Sequence, residues 1–258
     1  MIHDRSLMSE PTEPVPPPGA DANTSPPIVA RIVALIEVLL CSDYPTQIAI
    51  GATFTAFGSG PYTSAGQLRV GYVVGLSLAD SVVLVALVLL FLYAHGERPA
   101  MVLNDNRKIR LEVLAGLPMT LVALGIGVAV LGTIQWLAPS LHTVEHNPLQ
   151  QLLSSRRDIV LFAGVVVIAG GVREEVQRAF LLHRFEQWLG GGRVGVIVTS
   201  VAFGAGHLLQ GVDAAIATGL LGAFWGTIYL RRRSMVAPMI SHSGFDLLQI
   251  AQFLVVGK

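Results

Sequence analysis

The stretch from Gly71 to Ala94 reads GYVVGLSLADSVVLVALVLLFLYA, with Asp80 as its single charge. At 1.5 Å per residue a helix of this length reaches about 36 Å, enough to cross a hydrocarbon core of roughly 30 Å. The segment therefore predicts a membrane-spanning helix. Val113–Ala138 passes the same test with no charge at all, and Met235–Val256 passes it with His242 and Asp246 as its ionisable groups. Ile28–Phe57 is long enough but interrupted by Glu37, Asp43 and Pro45; it reads as one kinked span, or as an interfacial helix followed by a short span. Asp158–Leu189 opens with the apolar run Ile159–Val172 and then turns strongly polar. Val194–Leu209 and Ala214–Leu230 are slightly short, each bounded by glycine or charge. The expected fold is all-α, a polytopic transmembrane bundle of seven spans, or eight if the first divides.

Composition agrees. Of 258 residues, 52% are hydrophobic and 13% charged, against about 25% charged in soluble domains. The net charge of zero gives no reason to expect a nucleic-acid partner. One cysteine, Cys41, excludes a disulfide within the chain. Residues 1–27 hold seven prolines and four acidic residues with few large apolar ones. Such a segment cannot bury enough surface to offset its ordering entropy, so a disordered tail is expected. It lacks the basic start and apolar core of a signal peptide, which points to insertion by the internal spans. The domain organisation expected is this tail, then N-terminal transmembrane helices over 28–157, then a catalytic transmembrane core over 158–256.

With seven spans, Arg98, Arg107, Lys108, Arg110, Arg184, Arg193 and Arg231–Arg233 fall on one side, against Arg69, Arg156 and Arg157 on the other. Positive charge favours the cytoplasmic side, so the expected protein sits in the cell (inner) membrane with a cytoplasmic N-terminus. Small residues recur four apart at Ser200/Gly204, Ala215/Gly219 and Gly222/Gly226, a spacing that lets helix backbones approach closely in lipid.

Three short stretches place ionisable groups at membrane depth: Arg173–Arg178 (REEVQR), Phe203–His207 (FGAGH) and His242–Asp246 (HSGFD). Each central charge costs about 2.5–3.5 kcal/mol on insertion scales. Glu174, Glu175, Arg178 and Asp246 must therefore pair with one another, bind a metal, or line a wet cavity. Residues four apart share a helix face, so Glu174 aligns with Arg178, Phe203 with His207, and His242 with Asp246. One polar stripe on each of three helices fits activation of water by a carboxylate beside imidazoles, in a cavity expected to be formed by the C-terminal four helices. Zinc held by histidine and carboxylate could serve the same end, with His207, His242 and Asp246 as candidate ligands. A single buried histidine or Glu–Arg pair would more often be structural; the coincidence of three motifs carries the reading.

This ordered set resembles the CPBP family of intramembrane proteases, which includes type II CAAX prenyl endopeptidases and Abi-like proteins related to bacteriocin processing and immunity. The resemblance covers roughly residues 158–250. It implies that Glu174 activates the attacking water with His207 assisting. It implies that His242 and Asp246 complete the site, by stabilising the oxyanion or holding a metal. Glu175 and Arg178 then act as supporting residues, with Arg178 neutralising the glutamates, and Phe203 packs. The spacing departs from the family pattern, with two residues rather than three between the glutamate pair and the arginine, which leaves Glu174 and Glu175 both open as base, Glu174 being favoured. Asp246 stands where many members have Asn. An ionised Asp cannot donate to an oxyanion, so orienting His242 or binding a metal suits it better.

The expected activity is hydrolysis of peptide bonds in membrane-anchored or lipidated substrates, among membrane lipids, by direct attack of water. The Gly-x-Ser-x-Gly and His-Glu-x-x-His motifs of other hydrolases are absent from the sequence. A proton-coupled transporter is an alternative, since buried Glu, His and Asp also build proton relays, and so is a non-catalytic immunity or binding protein on the same scaffold. Elsewhere, His95, His142 and His146 read as solvated loop residues, His183 and Glu186 as snorkelling, Arg231–Arg233 as a topology signal, and Glu37 and Asp43 as marking an interfacial break. Asp80 reads as a polar-path or a structural residue.

Overall fold

A computed structural model describes residues 27–105, 107–145 and 147–256. The proline-rich tail expected over 1–27 lies outside them except for Pro27, as does His146. The described residues fold as helices without a strand: α1 (Ile28–Leu40), α2 (Tyr44–Ala56), α3 (Val70–Ala94), α4 (Pro99–Asn104), α5 (Ile109–Leu137), α6 (Arg156–Val165), a π-helical segment (Val166–Arg173), α7 (Glu174–Trp188), α8 (Gly192–Gly206), α9 (Val212–Arg232) and α10 (Val236–Val256).

Four of them, α3, α5, α9 and α10, are long and apolar enough to cross a membrane, and α8 is a shorter apolar helix of 15 residues. The chain is an integral membrane protein. Large apolar side chains such as Val82, Leu90, Leu121 and Val128 are exposed on α3 and α5, the surface that lipid covers. In α9 half of the spanning window is buried inside the protein, against 22% in α3, α5 and α10, so α9 is the central helix.

The segment 28–57 divides into two helices of 13 residues each. At about 20 Å, neither spans the hydrocarbon by itself. Asp43 sits in the left-handed region (φ 81°), and Pro45 in the first turn of α2 has no N–H to continue the ladder from α1. Both the break and its position follow from those two residues.

Two close contacts shape the C-terminal half. On α8 and α9 the backbones touch: a β-carbon on Gly204 would lie 2.6 Å from the Ala215 carbonyl oxygen, and one on Gly219 3.2 Å from the Ser200 carbonyl oxygen. Two of the three small-residue pairs thus meet each other. At Gly171, inside the π-helical segment, a β-carbon would run into the Ser243 side chain of α10. Single π turns inserted in α-helices often mark functional sites, and this one lies directly before the two glutamates.

Two of the apolar clusters position the polar motifs. Leu84, Val88 and Leu92 of α3 pack with Val176, Phe180, Leu181 and Phe185 of α7 and with Val38 and Cys41 at the end of α1. Ala123 of α5, Leu221 and Trp225 of α9 and Phe245 of α10 form the second.

Candidate active site

A cavity of about 320 Å³ opens among α3, the α5–α6 connection, α6, the π-helical segment and α7 to α10. It is wider than the chamber of four C-terminal helices expected from sequence. Val73 and Ser77 of α3 line it, and so do Asn147, Leu149, Gln150 and Leu153 of the connection before α6. Glu174, Phe203, His207, His242 and Asp246 all reach its wall, together with Arg173 and Trp225. The three sequence motifs therefore converge on one space.

The two glutamates part company. Glu175 is 1% exposed; its Oε1 pairs with Arg178 and accepts from Nδ1 of His242 at 2.9 Å. Glu174 is held through Oε1 by Arg173 at 3.0 Å, while its buried Oε2 has no hydrogen-bond partner. Nε2 of His242 lies 3.8 Å from Glu174 Oε2 and 3.8 Å from Asp246 Oδ2. These gaps exceed hydrogen-bond length. The expected alignment of Arg178 with Glu174 is corrected here: Arg178 takes Glu175 three residues back, and Arg173, which sequence reasoning passed over, takes Glu174. An arginine beside a glutamate in a span was the available signal.

Packing fixes the imidazole of His242. Trp225 stacks on it with 3.8 Å between centroids and 19° between planes, and donates from Nε1 to Ser241 at 3.1 Å. The Phe203 ring meets the rings of His207 and His242 edge-on, 4.9 and 6.1 Å away, and the Arg178 guanidinium lies 4.9 Å over its face. His207 follows the last residue of α8 rather than lying inside it. Its Nδ1 donates to the Phe203 carbonyl at 2.8 Å, which leaves Nε2 free.

The candidate zinc set does not assemble. Among the described residues no group of three or more His, Cys, Asp and Glu side chains is arranged to hold a metal ion. His207, just past α8, and His242 on α10 each bond Nδ1 within the protein, to a carbonyl and to Glu175, and the Phe203 ring packs against both.

Several residues expected to be solvated or snorkelling are paired instead. Arg184, counted among the loop cations, is 1% exposed and bonds Glu37 and Glu97, each at 2.6 Å. His95 bonds Glu37 at 2.7 Å and His183 bonds Glu97 at 2.9 Å. His142 bonds the buried Asp213 at 2.7 Å. Glu186 pairs with Arg233, and Glu112 with Arg232 at 2.8 and 2.9 Å. Glu37 and Asp43 are likewise partners in ion pairs, Asp43 with Arg173. The common reason is the low dielectric, in which a charge without a partner is expensive. Burial raises the Glu97 carboxyl, but hydrogen bonds from His183, Gln187 and Arg184 outweigh that and hold it at about 2.

Residues 156–248 match the family model of the Rce1-like type II CAAX prenyl endopeptidases. The resemblance to CPBP intramembrane proteases stands. The matched segment runs from the start of α6 into α10 and contains all three motifs. The match supports a membrane protease of the CAAX type acting on peptide substrates. No curated protein and no solved structure matches the chain.

Proposed function

We propose that the protein is an endopeptidase that hydrolyses peptide bonds of membrane-anchored or lipidated substrates, with Glu174 as the base that activates water. One observation carries this reading. Glu174 Oε2 stands at the cavity wall without a partner, facing His242 Nε2 across 3.8 Å. A carboxylate oxygen kept unpaired in a buried site costs stability, and a general base needs such an oxygen. Glu175, occupied by Arg178 and His242, suits a supporting role.

A water within reach of Glu174 Oε2 gives up its proton to that oxygen as its own oxygen bonds to the scissile carbonyl carbon. Nε2 of His207 can take the water's second hydrogen bond. His242 donates from Nδ1 to Glu175, while the Glu174 and Asp246 carboxylates stand 3.8 Å from Nε2, beyond hydrogen-bond length; in its protonated form the Nε2–H can donate to the developing oxyanion. Asp246, one turn further along α10, orients His242 from 3.8 Å. Glu174 then returns the proton to the leaving nitrogen as the C–N bond breaks, so base and acid are one group and no acyl-enzyme forms. Seven or eight membrane crossings, with α1–α2 and α6–α7 contributing beyond the four long helices, and a cytoplasmic N-terminus in the cell membrane remain part of this reading. The family match does not favour the carrier or silent-scaffold alternatives.

The test is cleavage of a transmembrane-peptide library and a farnesylated CAAX peptide by purified protein in lipid vesicles, with fragments read by mass spectrometry. Wild type should cut, and Glu174→Gln, His207→Ala and His242→Ala should not. Cutting that survives Glu174→Gln and disappears in Glu175→Gln would move the base to the second glutamate.

A further inference from the structure

The guanidinium of Arg173 is held on every nitrogen. Nε donates to the Ala169 carbonyl at 3.3 Å, Nη1 pairs with Asp43 Oδ1 and stands 3.4 Å from Asp80 Oδ2, and Nη2 donates to Glu174 Oε1 at 3.0 Å. Asp43 lies at the break before α2 and Asp80 in the middle of α3. Asp80 is 1% exposed and has no hydrogen-bond partner on either oxygen, so the ion pair with Arg173 is what compensates it. Three carboxylates from three elements therefore meet one cation, and only the one on α7 faces the cavity beside His242. Both Asp43 and Asp80 lie outside the segment 156–248 that carries the family pattern.

We infer that Arg173 is the positioning residue for Glu174, and that Asp43 and Asp80 hold Arg173 in place, so that the N-terminal helices form part of the active site. The inference rests on the reading of Glu174 as the base. With Oε1 pinned by Nη2, rotation of the carboxyl is blocked and Oε2 stays directed at the cavity. The planar fork allows this because its nitrogens point in fixed, divergent directions toward α2, α3 and α7; a lysine ammonium is one point on a flexible stem and cannot serve all three. The π-helical segment ends on Arg173, and the extra residue in its turns changes the direction in which Arg173 leaves the helix axis.

The test introduces Glu174→Cys into a Cys41→Ala background, which removes the one native thiol, and measures maleimide labelling of the introduced thiol at neutral pH in micelles. A neighbouring guanidinium favours thiolate, so Arg173→Gln and Arg173→Lys should each slow labelling, the former about tenfold. Arg173→Gln strands Asp80 and can fail to fold, so the double variant Arg173→Gln/Asp80→Asn is measured beside it. The double variant should recover the melting temperature while labelling stays slow. In the same chain with Glu174 restored, it should keep KM and lose kcat about a hundredfold, the scale of a misplaced catalytic group. Labelling at the wild-type rate in the double variant would overturn the inference and leave Arg173 as a counter-ion for two aspartates. Failure of the protease reading shows separately, as cleavage of the farnesylated CAAX peptide unchanged by Glu174→Gln, while the labelling rates still decide what Arg173 holds.

Discussion

Helix α7 carries a polar network at each end, and they differ in one respect. Toward its C-terminus, Arg184 and His183 meet Glu37 and Glu97 in an arrangement where all four carboxylate oxygens are bonded: Glu37 to His95 and Arg184, Glu97 to His183, Gln187 and Arg184. At its N-terminus Glu175 is engaged by Arg178 and His242, both through Oε1, but Glu174 keeps an unpaired oxygen on the cavity wall. Both ends meet the cost of burying charge by pairing. Each leaves one buried atom unbonded, but at the closed end it is a donor, Nη2 of Arg184, and at the open end it is an acceptor oxygen of Glu174 that borders a space of about 320 Å³. In this molecule the unpaired oxygen beside a cavity, rather than the buried charge itself, separates a candidate site from a fastening.

If that distinction holds, breaking the open end should cost activity, and breaking the closed end should cost stability. The largest effect is expected for Glu174→Gln. Cleavage should fall on the order of 10²–10⁴-fold, as for loss of a general base, with a melting temperature equal to wild type or higher, because Oε2 has no bond to lose. A large drop in melting temperature would place Glu174 among the structural pairs. Arg184→Gln should do the reverse. It takes the arginine away from the buried Glu37 and the half-buried Glu97, a loss of about 3–5 kcal/mol in reversible unfolding in mixed micelles, while the folded fraction keeps its turnover.

The closed network should also give a signature in acid. The Glu97 carboxyl is held at about 2, below its ordinary 4.5. A lowered folded value means that its stabilising contribution is fully present above about 4.5 and is lost as pH falls toward 2. Melting curves of wild type should lose stability across that window, and Glu97→Gln should be flatter there; parallel slopes would remove Glu97 from the account. The smallest change concerns shape. Gly171→Ala sets a methyl group against Ser243, and overpacking of this kind costs about 1–3 kcal/mol. It should also shift α10, and His242 with it, so a fall in kcat larger than the fall in stability is expected from parallel kinetics and melting.

Much of this was legible in the chain. Asp80 alone in a long apolar run announced a membrane helix, and the residues of the three motifs announced one polar space. The pairs were not. Arg178 lies four residues from Glu174 and three from Glu175, and both spacings put side chains on one helix face, so the sequence admits either partner. His183 and Glu186 look like headgroup anchors until Glu97 and Arg233, distant in sequence, are brought beside them. The zinc set did not assemble for a related reason: suitable ligand types along the chain say nothing of whether the fold brings three of them within reach of one ion.

The sequence by itself determined that the chain lives in lipid and folds as helices. It also determined that residues 156–248 carry a protease family's pattern, because hydropathy, helix period and motif order are local and additive along the chain. Only the tertiary structure decided which of two adjacent glutamates faces the cavity and which arginine holds each. Neighbouring residues on a helix point about 100° apart, so facing is set by how the helix is rotated against its neighbours. Here that rotation follows from the π-helical turns before Glu174 and from α10 packed against Gly171, contacts between segments some seventy positions apart that no local pattern contains.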